Sequence, residues 1–435
     1  MAVSTPALRS ALADIVGRDH VAGEGRFVEA AAVDGVVPRW VVRAGSDGEV
    51  SRVLALATAE RLGVAPRGSG SGRDLGGVPR RLDLVLDLAR LDAVTEYVPE
   101  DMVASVEAGA TLGALGAALS PHRQRLALDP YGGEVRSVGG VLAANASGPL
   151  RCRYGTARDV LLGVRFVQAD GTITWGGAKV VKSVTGYDVP KLLVGSLGTL
   201  GVIVGTTLRL HPLPPSTAAW LCAFASSAEA ADFLAALLAS PLEPERLSLI
   251  DARAGARCGV PAEGPAFLVS IASDAEAVDS QGVALAEHAR QAGGRVEPLR
   301  EGAWRALGAV LDAPVVVKLA GEPRRLLAWL DRTGALARDA AIDVASVGQA
   351  GHGVLHLALG SVASATQLAD AVLRPLREEL AAEGGSAVVE RAPAAFKAQI
   401  DVWGPVAPEA FAIMERLKRE FDPAGILNPG RMYDF

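Results

Sequence analysis

Three cysteines in 435 residues (Cys152, Cys222 and Cys258) leave no pair at C-x-x-C spacing. That absence excludes an iron–sulfur cluster held by the usual thiolate run. An odd, sparse set fits a reducing cytoplasm better than a disulfide framework. No apolar run is long enough to cross a bilayer. No basic stretch followed by an apolar core opens the chain, so a secretory signal is not expected. The net charge of −6 and a pI near 5.7 deny the chain the basic face that nucleic acid requires. The expectation is an acidic cytoplasmic protein of two domains, still able to dock on a membrane-associated complex.

Glycine, by contrast, is plentiful at 49 residues, and it is concentrated in three segments. The first is Pro66-Arg67-Gly68-Ser69-Gly70-Ser71-Gly72-Arg73, where alternating Gly and Ser can form a nest of backbone N–H groups around an anion. A flexible surface loop is the competing reading. Its glycines do not open a helix in the G-x-G-x-x-G register, so a nicotinamide dinucleotide fingerprint is excluded. The second is Ser137-Val138-Gly139-Gly140-Val141-Leu142-Ala143-Ala144-Asn145-Ala146-Ser147-Gly148, almost without side-chain bulk. Residues 138–146 read as a short helix whose N-terminus would present N–H donors to a pyrophosphate; a tightly packed Gly/Ala turn is the alternative. The third is residues 186–203, containing Gly186-Tyr187-Asp188, Lys191-Leu192, Gly195-Ser196-Leu197-Gly198-Thr199-Leu200-Gly201 and Ile203.

In this order and spacing the three segments resemble the FAD-binding domain of the vanillyl-alcohol oxidase/p-cresol methylhydroxylase family. The tail Phe421-Asp422-Pro423-Ala424-Gly425-Ile426-Leu427-Asn428-Pro429-Gly430-Arg431-Met432 is similar to the C-terminal motif of its flavin-dependent 2-hydroxy-acid dehydrogenase branch. The resemblance implies an α+β fold: a two-subdomain FAD-binding domain over residues 1–214, an α/β cap with an antiparallel sheet over 215–404, and a C-terminal segment, 405–435, that returns to the first domain. It implies that Arg67, Gly68, Ser69, Gly70, Ser71 and Gly72, with Gly139, Gly140, Asn145 and Ser147, take the phosphates of FAD. Tyr154, Gly155, Thr156, Arg158, Asp159, Gly201, Val202 and Ile203 would line the rest, and Ser137, Gly148 and Asn428 join the cofactor-binding set. Some relatives attach the flavin through a His in the first loop. No His lies between His20 and His122, so non-covalent FAD is expected.

Local patterns place these segments. Ser46-Asp47-Gly48-Glu49 reads as a capping box opening a helix that Gly63 would stop. Residues 82–88 alternate like a half-buried strand, and 160–175 read as a hairpin turning at Asp170-Gly171 in a type I′ turn. Three prolines in His211-Pro212-Leu213-Pro214-Pro215 mark the domain boundary. Beyond it, strand-like runs at 220–224, 247–250, 267–272, 315–319 and 354–359 alternate with helices, two of them opening at Ser226…Glu229 and Ser273…Glu276.

The substrate side is an incomplete pattern. The branch carries H-x-G-D-G-N-L-H and, further on, E-H-G-x-G-x-x-K, whose imidazoles and carboxylate hold a divalent metal that grips the hydroxy acid. Here the first segment is Gln349-Ala350-Gly351-His352-Gly353-Val354-Leu355-His356, and the second is Glu390-Arg391-Ala392-Pro393-Ala394-Ala395-Phe396-Lys397. Gln349 and Arg391 stand where two imidazoles are expected. A divalent site needs about three good ligands, so no metal is expected here. Arg391, free to pair with Glu390, or Lys397 would instead bind the substrate carboxylate. His356 is the open candidate for taking the hydroxyl proton, and His352 reads as structural. Cys152 reads as a bystander thiol.

Taken with residues 388–393 and 402–405, this degraded motif resembles the subfamily of FAD-binding E subunits of bacterial glycolate oxidase. The partners it implies are a second FAD subunit and an iron–sulfur subunit, with glycolate, a small 2-hydroxy acid, going to glyoxylate. A self-sufficient FAD dehydrogenase for a D-2-hydroxy acid and a non-catalytic structural partner are the alternatives.

Overall fold

The computed structural model describes residues 5–178, 187–260, 262–300 and 302–433. Gly186 of the third segment lies outside them. Two small sheets come first. β1 (Val21–Ala22), β2 (Trp40–Arg43), β3 (Val64–Arg67) and β4 (Leu84–Asp87) form one, in the order β1-β2-β4-β3. β4 lies parallel to both neighbours and is buried along its whole length, not half-buried. Helices on one side and a small apolar cluster on the other cover both of its faces. The second sheet holds β5 (Val94–Val98), β6 (Val103–Glu107), β8 (Leu161–Val167), β9 (Ile173–Gly177) and β10 (Val202–Arg209), antiparallel throughout, in the order β5-β6-β10-β8-β9. β7 (Gln124–Arg125) and β11 (His211–Pro212) pair with each other.

Several local signals resolve differently from their sequence reading. The helix Asp47–Ala59 is capped by Ser46, whose Oγ accepts from Glu49 N at 3.1 Å. Its left-handed residue is Arg61, not Gly63. Gly63 instead packs where a Cβ would lie 2.7 Å from the Arg81 carbonyl. In the β8–β9 hairpin Gly171 has φ +92°, but Asp170 is not left-handed, so the turn is not type I′. Asp170 Oδ1 accepts from Thr172 N at 2.8 Å and fixes it. The cap at Ser273 shifts one residue, to Asp274, whose carboxylate accepts from Ala277 N.

The remaining strands are β12 (Ser216–Ala223), β13 (Pro244–Ile250), β14 (Ala266–Ser273), β15 (Arg295–Pro298), β16 (Val315–Ala320), β17 (Asp343–Gln349), β18 (Val354–Gly360) and β19 (Ser386–Arg391). They form one antiparallel sheet, ordered β15-β12-β14-β13-β17-β18-β16-β19. The period-2 rule divides it. Val315, Val317, Leu319, Leu355, Leu357 and Leu359 join the main core. The helices Ser227–Ala239, Ala275–Gln291 and Leu326–Asp339 pack on that face and bring in Phe233. Phe233 is fully buried, worth about 1.5–3 kcal/mol of transfer free energy. Val316 and Ala358 join a separate cluster with Ala254, Leu307 and Val310, and Lys318 and His356 lie on the same face.

The tail closes the structure. Val64 N donates to Ile426 O and Asn428 N to Val64 O, both at 2.8 Å, so residues 426–428 lie beside β3. Buried Lys418 donates to Asp422 at 2.6 Å and to the Thr199 and Leu427 carbonyls.

Candidate active site

β3 delivers the first glycine segment, and the second meets it directly. Ser69 N donates to Ser137 Oγ and Ser137 N to Ser69 Oγ, both at 3.3 Å. Arg67 is held by the buried Asp87 carboxylate. Ser137 starts the helix Val138–Ala144, which ends at left-handed Asn145, φ +46°. The N–H groups of Val138 and Gly139 are spent on the Ala110 and Ala108 carbonyls, each at 2.8 Å. The expected donors of this helix start are therefore partly used, and ligand approach falls to Gly140 and the 68–72 loop. A Cβ on Gly140 would meet only Ser137 Oγ, at 2.9 Å.

Three cavities share walls along these segments. One of about 60 Å³ is lined by Gly139, Gly201 and Ile203 among others. One of about 120 Å³ runs past residues 67–73, Ser137, Gly140 and Asn428. Pro66, Arg67, Gly68, Gly140, Ala143 and Leu197 border both. Ser71, Gly72, Leu75 and Ala144 then lead into a cavity of about 440 Å³ between Asn145–Ser147 and the cap sheet.

Other expected cofactor residues line none of these three. Val202 is buried in β10. Gly148 packs against the Asp129 carbonyl, where a Cβ would overlap it. Thr156 and Asp159 form a capping box on the helix Ala157–Val160, preceded by Gly155 at φ +78°. Arg158 is exposed and reaches the Lys191 carbonyl. Tyr154 hydroxyl accepts from Arg125 at 2.8 Å and faces Glu245 at 3.2 Å, at the contact with the cap. These residues shape the fold beside the trench. Cys152 is half-buried, and burial pushes its thiol up to about 11, which makes it inert.

The large cavity gathers the chemistry. Lys318 and His356 are cross-strand partners on β16 and β18. On the other side of β16, β19 has a register shift opposite Val316 and Val317, and Glu390 falls within it. Lys318 Nζ lies 2.9 Å from Glu390 Oε1, and His356 Nε2 lies 3.5 Å from Glu390 Oε2. Burial pushes the His356 imidazole below its usual pKa, against the pull of Glu390, so it is neutral at pH 7. Burial pushes the Glu390 carboxyl up, but Lys318 and His356 outweigh it and hold it below its usual value. Tyr131 stacks edge-on against His356, with centroids 5.5 Å apart.

Two of the three expected catalytic residues change role. Arg391 lines the cavity but is paired with Asp74 at 3.2 Å and Asp312 at 3.0 Å, not with Glu390. Lys397 is outside the cavity. Its Nζ donates to Asp34 Oδ1 at 2.8 Å and to the Asp74 carbonyl, while Arg431 holds the other oxygen of Asp34 at 2.6 Å. The motif lysine thus clamps the 73–77 loop. Lys397→Met should cost about 1.5–3 kcal/mol by removing one of the two cations on the buried Asp34 carboxylate and the tie to the Asp74 carbonyl, lowering the thermal midpoint by several degrees. Scanning calorimetry checks this, and lost turnover with unchanged melting would return Lys397 to the chemistry.

Arg136 and Arg151, which the sequence reading passed over, line the same cavity. Neither has a carboxylate partner among the described residues. Arg136 Nη1 donates to the Tyr131 carbonyl at 2.7 Å, and the Nε of each arginine is buried without a partner. Their sequence signal was faint: each flanks the small-residue run. Lys318 left a clearer mark as the only charge in Val315–Ala320.

The model of the C-terminal domain of FAD linked oxidases matches residues 213–432, just over half of the chain. The chain belongs to the FAD-linked oxidases. The FAD binding domain model matches residues 38–177. The glycolate oxidase subunit GlcD of Bacillus subtilis (strain 168) is 27% identical over 91% of this chain and 89% of its own. D-lactate dehydrogenase of Archaeoglobus fulgidus is 30% identical over 90% of each chain. D-2-hydroxyglutarate dehydrogenase of Xanthomonas citri pv. viticola is 29% identical over 91% and 89%. The structure of p-cresol methylhydroxylase with substrate bound superposes with a TM-score of 0.79 at 17% identity, covering 99% of this chain and 97% of that one, which establishes the fold.

For an FAD-linked oxidase the trench fits the cofactor. Its walls at Gly68, Gly70, Gly72 and Gly140 carry no side chains, and its three parts share lining residues from Gly201 and Ile203 to the cap sheet. FAD is the cofactor of this oxidoreductase. Among the described residues no group of three or more His, Cys, Asp or Glu side chains could hold a metal ion. No described helix is long and apolar enough to cross a membrane.

Proposed function

We propose that this chain oxidises a small 2-hydroxy acid to the 2-oxo acid, as the FAD-binding subunit of a glycolate oxidase-type complex. Glycolate would go to glyoxylate, and two electrons would pass to a second FAD subunit and an iron–sulfur subunit at the inner face of the membrane. The observation that carries this reading is the pair Arg136 and Arg151, two guanidiniums that form no ion pair among the described residues and line a cavity that also holds a neutral imidazole. Half-buried cations without an ion pair are costly unless an anion completes them, and a guanidinium fork matches a carboxylate. Bound FAD supplies the two-electron acceptor. Arg136 and Arg151 hold the acid, His356 takes the hydroxyl proton, and Glu390 steadies the imidazole as it charges. Relatives named for glycolate, D-lactate and D-2-hydroxyglutarate support this substrate class.

The test is anaerobic addition of glycolate, then D-lactate, to the purified chain while the flavin absorption is followed. Bleaching supports the reading. An unchanged spectrum with FAD bound, both alone and with partner subunits, sinks it. Bleaching by D-lactate in the chain alone favours the second reading, a self-sufficient D-2-hydroxy-acid dehydrogenase; base and anion site already share one cavity.

His356→Ala should leave the flavin content unchanged and slow bleaching by about 10²–10⁴-fold. Because the base must be unprotonated and burial holds its pKa below the usual histidine value of about 6.5, the rate should fall with acid and its half-maximal point should lie below about pH 6.5. A pH profile of the reduction rate checks this, and a limb above pH 7 would point to another base.

A further inference from the structure

We propose that the ammonium of Lys318 occupies, as a built-in cation, the place a divalent metal would take beside Glu390 and His356, and that it closes this site to metals. The inference concerns the charge of the cavity assigned above and rests on that assignment only for the location of the chemistry. Four observations converge on it.

Glu390 stands on β19, the neighbour of β16 at the edge of the sheet, and Lys318 Nζ sits 2.9 Å from one of its oxygens. His356 Nε2 faces the other oxygen at 3.5 Å. The lysine reaches that position because the β16–β18 register sets it directly opposite His356, while Val317 and Leu319 beside it point into the core. It is therefore built into the sheet rather than swung in from a loop.

The other two positions that could complete a metal site are turned elsewhere. Gln349 Nε2 donates to the Ser147 carbonyl at 3.2 Å. Arg391 is pinned by Asp74 and Asp312 and brings a second positive charge to the rim. A divalent ion would have to displace the ammonium from Glu390 and lie against two fixed cations, with one carboxylate and one imidazole as its ligands. An ammonium needs no chelating set, and three N–H donors let it hold Glu390 and still face the cavity.

Manganese binding by the FAD-loaded full chain, read from the loss of the free Mn²⁺ signal in electron paramagnetic resonance, tests this without any hydroxy acid. A failure here is therefore distinct from a failure of the bleaching experiment. Three proteins are compared: the wild type, the double variant Gln349→His with Arg391→His, and that double variant with Lys318→Ala added. Flavin content confirms that each is folded. Wild type should leave Mn²⁺ free, and adding Lys318→Ala should tighten the apparent Kd of the double variant by at least tenfold. One equivalent of Mn²⁺ on the wild type overturns the proposal. So does a double variant that binds Mn²⁺ as tightly with its lysine as without it.

Discussion

Gly140→Val should purify as a colourless, folded protein. The Gly140 Cα faces the trench where the cavities of about 60 and 120 Å³ meet, and the nearest atom to an added Cβ is Ser137 Oγ, at 2.9 Å. Valine would push its methyl groups either into that space or against Ser137, whose hydroxyl accepts from Ser69 N. Either way the approach of backbone to phosphate is lost. The helix itself tolerates the change, because valine costs it no more than about 0.7 kcal/mol and glycine already costs about 1. Flavin absorption should therefore vanish, while the melting midpoint of the apoprotein stays within a few degrees of wild-type apoprotein. Full FAD content in Gly140→Val would move the cofactor away from this helix. Gly148→Val would fail differently. That glycine backs onto the Asp129 carbonyl rather than the trench, so it should lower stability and not only flavin content.

Replacing both Arg136 and Arg151 by methionine should separate flavin binding from turnover. Each charge-assisted hydrogen bond to a substrate carboxylate is worth about 1.5–3 kcal/mol, so the double variant should lose about 10²-fold or more in kcat/KM, chiefly through KM. Lysine at either position keeps the charge but not the fork, and should recover only part of the loss. Burial lowers the pKa of both groups, outweighing the pull of Glu390 on Arg136 and of Asp159 on Arg151. Removing them should therefore raise the thermal midpoint even as activity falls. Stopped-flow flavin reduction together with calorimetry reads both effects. An unchanged KM would show that these guanidiniums serve something other than the acid.

How much of this was legible in the chain depends on the range of the physics involved. The strands at 315–319 and 354–359 and the trench-lining glycines were readable, since apolar alternation and missing Cβ atoms are local properties. The turn at Asp170-Gly171 and the stop at Gly63 were misread. A glycine required by close packing against Arg81 carries the same sequence signal as one required by its own backbone angle. Tyr154, Thr156 and Asp159, expected from the family pattern to line the cofactor, cap and brace beside the trench and line none of its three cavities.

The sequence by itself determined the cofactor class, the α+β architecture and the loss of two imidazoles from the metal motif, because each is written in residue identity at fixed spacing. Only the tertiary structure decided which charges are free. Lys397 finds Asp34, 363 residues away. Arg391 finds Asp74 and Asp312, and Lys318 finds Glu390 across one strand pair. Arg136 and Arg151 find no carboxylate among the described residues. Whether a cation is spent on the fold or left for a ligand is set by which carboxylates the folded chain brings within about 4 Å, and spacing along the sequence does not contain that distance.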